Sequence, residues 1–261
     1  RSLELPSQSK IAMLSKNCAH FFMTELAIWM AGHVTVALYP TLNRDTVAYI
    51  LEHSDAQLLF VGKLDTWDDE LKHGVPADLA RIAFPNAPKT DATPWSEIVD
   101  NIDPISDKPV RDADDSSLII YTSGSTGQPK GVLHNFRTIS VTTKGLVKVL
   151  SATSNDRSLS YLPLAHGMDR WLSECTSLYC GSRVYFAESL DTFVADLQRA
   201  RPTLFVSVPR LWTKFQLGVF SKMSPRKLGL FLRIPVLSGI VKKKILTNLG
   251  LANVRFAGSG S

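Results

Sequence analysis

Three cysteines in 261 residues, Cys18, Cys175 and Cys180, form no Cys-x-x-Cys pair and no disulfide framework. A reducing, cytoplasmic setting is the simpler expectation, with Cys175 and Cys180 as small core residues on one helix. No run of about 18 uncharged apolar residues exists, so no transmembrane helix is expected. The opening residues, Arg1 to Pro6, lack the apolar core of a secretory signal. No short fixed period recurs, which excludes solenoids. The Walker spacing Gly-x-x-x-x-Gly-Lys-Ser/Thr is also missing, which argues against an ordinary P-loop kinase or NTPase. Basic residues do not interleave with aromatics as on a nucleic-acid surface, and no nucleic-acid partner is expected.

What is present fits a folded protein. Hydrophobic residues make up 44% and charged residues 20% of the chain, the balance of a globular protein long enough to bury a large core. The net charge of +5 reads as modest and diffuse. It suits either an ordinary basic surface or anionic partners such as ATP, CoA or an acidic membrane.

Strand-like and helix-like segments alternate. Ile11 to Leu14, Val34 to Leu38 and Leu58 to Val61 read as strands. His20 to Met30 reads as a helix ended by Gly32, and Arg44 to His53 as a helix capped by Asn43. Residues 62–116 are punctuated by six prolines, with a candidate strand at Ala80 to Phe84 and a short helix at Trp95 to Ile102. A second series follows, with strands near 118–121, 158–162, 183–187, 204–208 and 254–257. Helices are expected near 136–150, 168–179, 190–200, 210–222 and 239–249. This rhythm predicts an α/β protein with two parallel-type sheets flanked by helices. The expected lobes are 1–115, including an irregular connecting segment, and 116–261.

The most informative string is Ile-Ile-Tyr-Thr-Ser-Gly-Ser-Thr-Gly-Gln-Pro-Lys-Gly-Val-Leu at 119–133. A buried strand gives way to a loop with four hydroxyls (Thr122, Ser123, Ser125, Thr126), three glycines (Gly124, Gly127, Gly131) and Lys130. Glycines let backbone N–H groups approach an anion closely, and successive N–H groups form an anion-binding concavity. Hydroxyls add hydrogen bonds and lysine a compact charge. A second apolar stretch follows before Asn135, a helix N-cap. Lys130 is therefore expected in a loop between strands.

Tyr121 to Gly131 resembles the phosphate loop of the adenylate-forming, or AMP-binding, superfamily, which includes acyl-CoA synthetases, nonribosomal peptide adenylation domains and luciferases. Ser160-Tyr-Leu-Pro-Leu-Ala-His166 resembles the segment that delivers an aromatic residue or histidine to the acyl site. Val206-Ser-Val-Pro-Arg-Leu-Trp212 resembles a junction of the long-chain fatty acyl-CoA synthetases. Val254-Arg-Phe-Ala-Gly-Ser-Gly-Ser261 resembles the strand and turn that pack against adenine. Ala27 to Pro40 resembles the family's early helix and strand. The likeness runs from about Ile11 to Ser261 and points to the N-terminal domain of a long-chain fatty acid–CoA ligase.

The resemblance implies ATP-dependent formation of an acyl-adenylate with release of pyrophosphate, followed by transfer to CoA. Thr122, Ser123, Gly124, Ser125, Thr126, Gly127 and Lys130 would hold the phosphates. Lys130 would be the charge partner, and Thr122 a contact to Mg²⁺. His166, at the end of a strand where α/β ligands bind, would position the acyl group. Gly258, Ser259 and Gly260 would lie against adenine, unless Gly-Ser-Gly-Ser is a linker. Trp212 reads as core, and Arg210 as an ion pair or pocket support. The apolar stretch Leu228 to Leu246, with Lys242-Lys243-Lys244, reads either as a buried helix with a solvated lysine face or as a peripheral contact at the inner membrane face.

Family members continue past the adenine turn with a Mg²⁺-binding glutamate, a ribose-binding aspartate and a small C-terminal domain with a catalytic lysine. None of these has a counterpart here. The expectation is an N-terminal fragment that lacks full turnover. Alternatives are adenylation of another acid, transfer to a carrier protein, and a non-catalytic nucleotide- or lipid-binding module.

Overall fold

The computed structural model describes residues 3–122 and 127–260. The chain forms two compact units, Arg1–Gly145 with Pro163–Leu172, and Leu146–Leu162 with Ser173–Ser261. This division differs from the expected 1–115 and 116–261.

The first unit is built on a seven-stranded sheet of order β5-β4-β3-β1-β2-β6-β7. Its strands are β1 (Lys10–Leu14), β2 (Val34–Leu38), β3 (Ala56–Val61), β4 (Arg81–Ala83), β5 (Thr93–Pro94), β6 (Ser116–Thr122) and β7 (Lys130–Asn135). All neighbours pair in parallel except β6 and β7. The sheet is therefore mixed, because the short 123–129 connection can only reverse the chain, whereas a parallel return needs a dozen or more residues. β6 was expected to open the second lobe. It pairs instead with β2, as Thr35, Val36 and Ala37 face Leu118, Ile119 and Ile120. The proline-punctuated segment supplies β4 and β5 at the far edge, where proline is tolerated.

Every residue of β2 is buried, as in a strand covered on both faces. Helix α1 (Ala19–Met30) buries Phe21, Phe22, Ile28 and Trp29. In α2 (Arg44–His53) the Asn43 side chain accepts the Thr46 N–H at 2.9 Å, satisfying an orphan donor of the first turn. The core joins Leu14, Val36, Leu38, Val47, Ile50, Leu59, Val61, Trp67 and Leu71. Short α3 (Trp95–Asn101) follows β5, and Asn135 caps α4 (Phe136–Leu150) by accepting the Thr138 N–H at 2.9 Å.

In the second unit β8 (Arg157–Ser160) pairs with β9 (Arg183–Phe186), and β10 (Leu204–Ser207) with β11 (Phe256–Ser259), both in parallel. Thr203 N–H donates to the Arg157 carbonyl at 2.9 Å and joins the two pairs. The helical stretch after His166 is not uniform. It comprises α5 (Gly167–Asp169), a π-helical segment Arg170–Cys175 and α6 (Thr176–Cys180). Cys175 is buried, but Cys180 is only partly so. Helices α7 (Phe193–Ala200), α8 (Pro209–Phe220), α9 (Pro225–Arg233) and α10 (Pro235–Asn248) complete the unit. The core centres on Leu159, Phe193, Leu197, Phe205 and Phe215, and Trp212 packs against it edge-on to Phe205.

Asp156 ties this unit together. Its carboxylate accepts Arg255 Nε at 2.8 Å and a second guanidinium N–H at 2.7 Å, the Thr203 hydroxyl at 2.6 Å and the Thr153 N–H at 2.9 Å. Arg255 also donates to the Leu150 carbonyl at 2.7 Å. These hydrogen bonds, that from Arg255 foremost, hold the Asp156 carboxyl far below its ordinary 3.8 despite burial. A carboxylate whose folded pKa lies below the unfolded value adds stability above that value and loses it as pH falls through the folded pKa. Asp156→Asn is therefore expected to lower the melting temperature at pH 7. The gap from the parent should narrow as pH is taken well below 3.8. A gap independent of pH, measured by thermal denaturation, would contradict this role.

Candidate functional site

The β6–β7 hairpin is braced from behind by α2. Tyr121 of β6 is buried, and its hydroxyl hydrogen-bonds with His53 Nδ1 at 2.8 Å. Burial raises the phenol pKa, with the nearby Tyr49 second, so Tyr121 stays neutral. One turn earlier on α2, the Tyr49 hydroxyl donates to the Pro129 carbonyl at 3.2 Å and anchors the trailing end of the loop. Gly131 sits directly opposite Tyr121. A Cβ there would lie 2.9 Å from Ile119 Cγ2 and 3.3 Å from the Tyr121 ring, so only glycine lets β7 close on this side chain. Gly127 has φ +91°, a backbone state that glycine adopts without strain.

The strand register sets the outer end. Thr122 and Lys130 are directly opposed, so their side chains leave the same face of the hairpin at the mouth of the loop. Lys130 opens β7 and does not lie in the loop as expected, because the antiparallel pairing extends to it. Both side chains are exposed. Ser123, Gly124, Ser125 and Thr126 lie outside the described residues.

His134 shares the Lys130 face of β7, since side chains alternate along a strand. Its ring meets Trp171 edge-on at 5.4 Å. Trp171 in turn packs on Gly167, where a Cβ would come within 2.4 Å of the indole. The next residue back is His166. The structure thus brings the His166 segment onto the face of the hairpin that carries Thr122 and Lys130. His166 is exposed, and its Nδ1 accepts the Met168 N–H at 3.1 Å. That bond orients the ring and leaves Nε2 as the N–H donor of the neutral imidazole.

Below His166 is a buried ion pair that sequence reasoning missed. Arg170 and Glu25 are both fully buried and paired. Arg170 Nε also donates to the Leu164 carbonyl at 2.9 Å, and its guanidinium lies 5.7 Å from the Phe21 ring centroid. Asn17 donates to Asp169 at 2.9 Å. The Pro163–His166 strip is therefore fastened to α1.

Gly258 and Ser259 lie on β11 of the second unit, where Val206 faces Gly258, and Gly260 N–H donates to the Ser207 carbonyl at 3.2 Å. A Cβ at Gly258 would approach Val206 Cγ2 to 2.9 Å. For Mg²⁺, the described residues offer the Thr122 hydroxyl and no cluster of three or more His, Cys, Asp or Glu. Mg²⁺ sites generally include carboxylates, so these residues alone do not make a metal site.

A mixed sheet thus ends in the antiparallel β6–β7 hairpin, whose Lys130 face meets the segment after His166 through His134 and Trp171. The chain belongs to the AMP-binding enzyme family, whose profile matches residues 1–245. It is 30% identical over 262 residues to long chain acyl-CoA synthetase 2 of Arabidopsis thaliana, covering 92% of this chain and 37% of that protein. It is 29% identical over 225 residues to the long-chain-fatty-acid–CoA ligase ACSBG2 of Gallus gallus, covering 79% and 30%. The chain thus spans about a third of the length of these relatives. Among solved structures, the A-PCP didomain of carboxylic acid reductase from Segniliparus rugosus, in complex with AMP, superposes with a TM-score of 0.76. Its identity is 20%, with 98% of this chain and 39% of that one covered. A benzoate CoA ligase from Burkholderia xenovorans LB400 gives 0.70 at 21% identity, covering 81% and 42%. The fold is that of adenylate-forming N-terminal domains, as expected from the sequence.

Proposed function

We propose that this chain is the nucleotide-activating part of an ATP-dependent long-chain fatty acid–CoA ligase. The observation that carries the reading is the register placing Thr122 and Lys130 opposite one another, on the hairpin face that also receives the His166 segment. A fatty acid is already ionised at neutral pH, so no general base is needed. One carboxylate oxygen attacks the α-phosphorus of ATP, and the bond to the bridging oxygen breaks. The electron pair leaves with pyrophosphate, and an acyl-adenylate remains. The CoA thiol then attacks the acyl carbon and displaces AMP.

This chain's residues act by position and charge. Lys130 neutralises the departing phosphates and Thr122 donates its hydroxyl to them. His166, held by Met168, offers Nε2–H to the acyl carboxylate or its phosphate partner. Mg²⁺, when bound, would screen the phosphates further. The names of the relatives support a long-chain acid, whereas the solved neighbours include enzymes for benzoate and anthranilate at identities that speak only for the fold.

The test is acid-dependent exchange of labelled pyrophosphate into ATP by the gene product that contains this chain, with acids from acetate through benzoate to oleate. Exchange should peak with long-chain acids, and net turnover should require CoA. A peak at benzoate would replace the substrate class. Absence of exchange with every acid, from folded protein, would overturn the enzyme reading.

A further inference from the structure

The charge is not diffuse, as the net value suggests. Asp196 is the last carboxylate side chain, and residues 197–261 hold twelve Lys and Arg with no Asp or Glu. Two of the twelve are paired, Arg199 with Asp196 and Arg255 with Asp156. Among the described residues, the other ten make no ion pair.

Within this stretch α9 and α10 form a helical hairpin bent at Ile234–Pro235. α9 has no buried residue, and α10 has only Ser238. A helix of a globular domain normally buries an apolar stripe. Here Leu230, Ile234, Val236, Ile240 and Leu246 are exposed, Val236 to 75%. Arg226, Lys227, Lys242, Lys243 and Lys244 are exposed beside them. At the root of α10 is a cavity of about 740 Å³, within the range of small-ligand sites. Phe215, Val241 and Ile245 line it, with Lys214, Lys222 and Lys244.

Three occupants of such a surface can be distinguished by chemistry. A protein interior takes the leucines and isoleucines but rejects lysines without carboxylates. A nucleic acid takes the lysines and leaves the aliphatic side chains in water. An anionic bilayer takes both: aliphatic groups enter the boundary below the headgroups, while lysine stems extend along them and place the ammonium groups on lipid phosphates. Among the described residues no helix is long and apolar enough to cross a membrane.

We propose that the α9–α10 hairpin is a docking surface for an anionic lipid bilayer. Its exposed side chains are mainly aliphatic and basic, and neither helix carries a carboxylate. The proposal stands apart from the ligase reading, because binding is measured without ATP or acid.

The test is flotation of this chain with phosphatidylcholine vesicles, with and without phosphatidylserine, at low and high salt. Binding should require phosphatidylserine and weaken with salt. Lys242→Gln/Lys243→Gln/Lys244→Gln should weaken partition on the order of 100-fold, from about fivefold per lysine. Val236→Ser/Ile240→Ser should also weaken it, by tenfold or more. All five positions are solvent-exposed, so both variants should melt with the parent. Failure to float on anionic vesicles, equal binding to neutral ones, or tighter binding to duplex DNA than to anionic vesicles would overturn the proposal. So would insensitivity to both variants.

Discussion

Arg170→Met is expected to lower the melting temperature of this chain by roughly 10 °C. The substitution leaves the Glu25 carboxylate buried without its cation, and breaking a buried pair from one side costs about 3–5 kcal/mol. For a chain of this size each kcal/mol is worth roughly 2–4 °C. Removing Glu25 alone, as Glu25→Leu, should also destabilise the chain, because the buried guanidinium loses this carboxylate. The double variant Glu25→Leu/Arg170→Met should recover part of the loss, because neither member of this pair is then left buried without the other. It should not recover all of it, since the Nε hydrogen bond to the Leu164 carbonyl is still missing. Additive single and double effects in thermal denaturation would show that the two charges do not depend on each other. The same double variant separates stability from positioning. The Pro163–His166 strip loses its tether, so acid-dependent pyrophosphate exchange should fall even where melting is partly restored.

Lys130→Ala should reduce acid-dependent pyrophosphate exchange by about 100- to 1,000-fold, the range seen when one preorganised stabiliser of developing charge is removed. Melting should not change, because Lys130 is exposed and pairs with Thr122 through backbone groups that alanine retains. If Lys130 acts on charge that develops as pyrophosphate leaves, kcat and kcat/KM should fall together. A rise in KM for ATP with unchanged kcat would instead mean that Lys130 only binds the ground state. Lys130→Arg should rescue part of the loss, since the charge is kept but the compact ammonium is replaced by a planar fork. Equal activity of parent and alanine variants would remove Lys130 from the reaction.

Much of the fold was legible because local signals agreed with it. Asn43 and Asn135 cap helices as their positions suggested, and the apolar runs at 11–14, 34–38 and 58–61 are strands of one sheet. The family was legible too, because the glycines, hydroxyls and lysine of 121–131 stand at short spacing in the sequence. Other features follow from contacts remote in sequence. Glu25 and Arg170 are 145 positions apart, and neither has a local pattern marking it as buried. The placement of β6 beside β2 depends on sheet order, which hydrophobic periodicity does not encode. The expected lobe boundary missed it for that reason. The charge asymmetry was present in the sequence all along, but net charge averages it away.

The sequence by itself determined the α/β rhythm and the family, because each rests on residue types at short spacing. Tertiary structure alone decided that Lys130 stands on a strand opposite Thr122, that His134 and Trp171 bring His166 to that face, and that α9 and α10 bury almost nothing. These depend on register, on packing between distant segments and on which surfaces find a partner. Those are properties of the folded chain, and no window of neighbouring residues contains them.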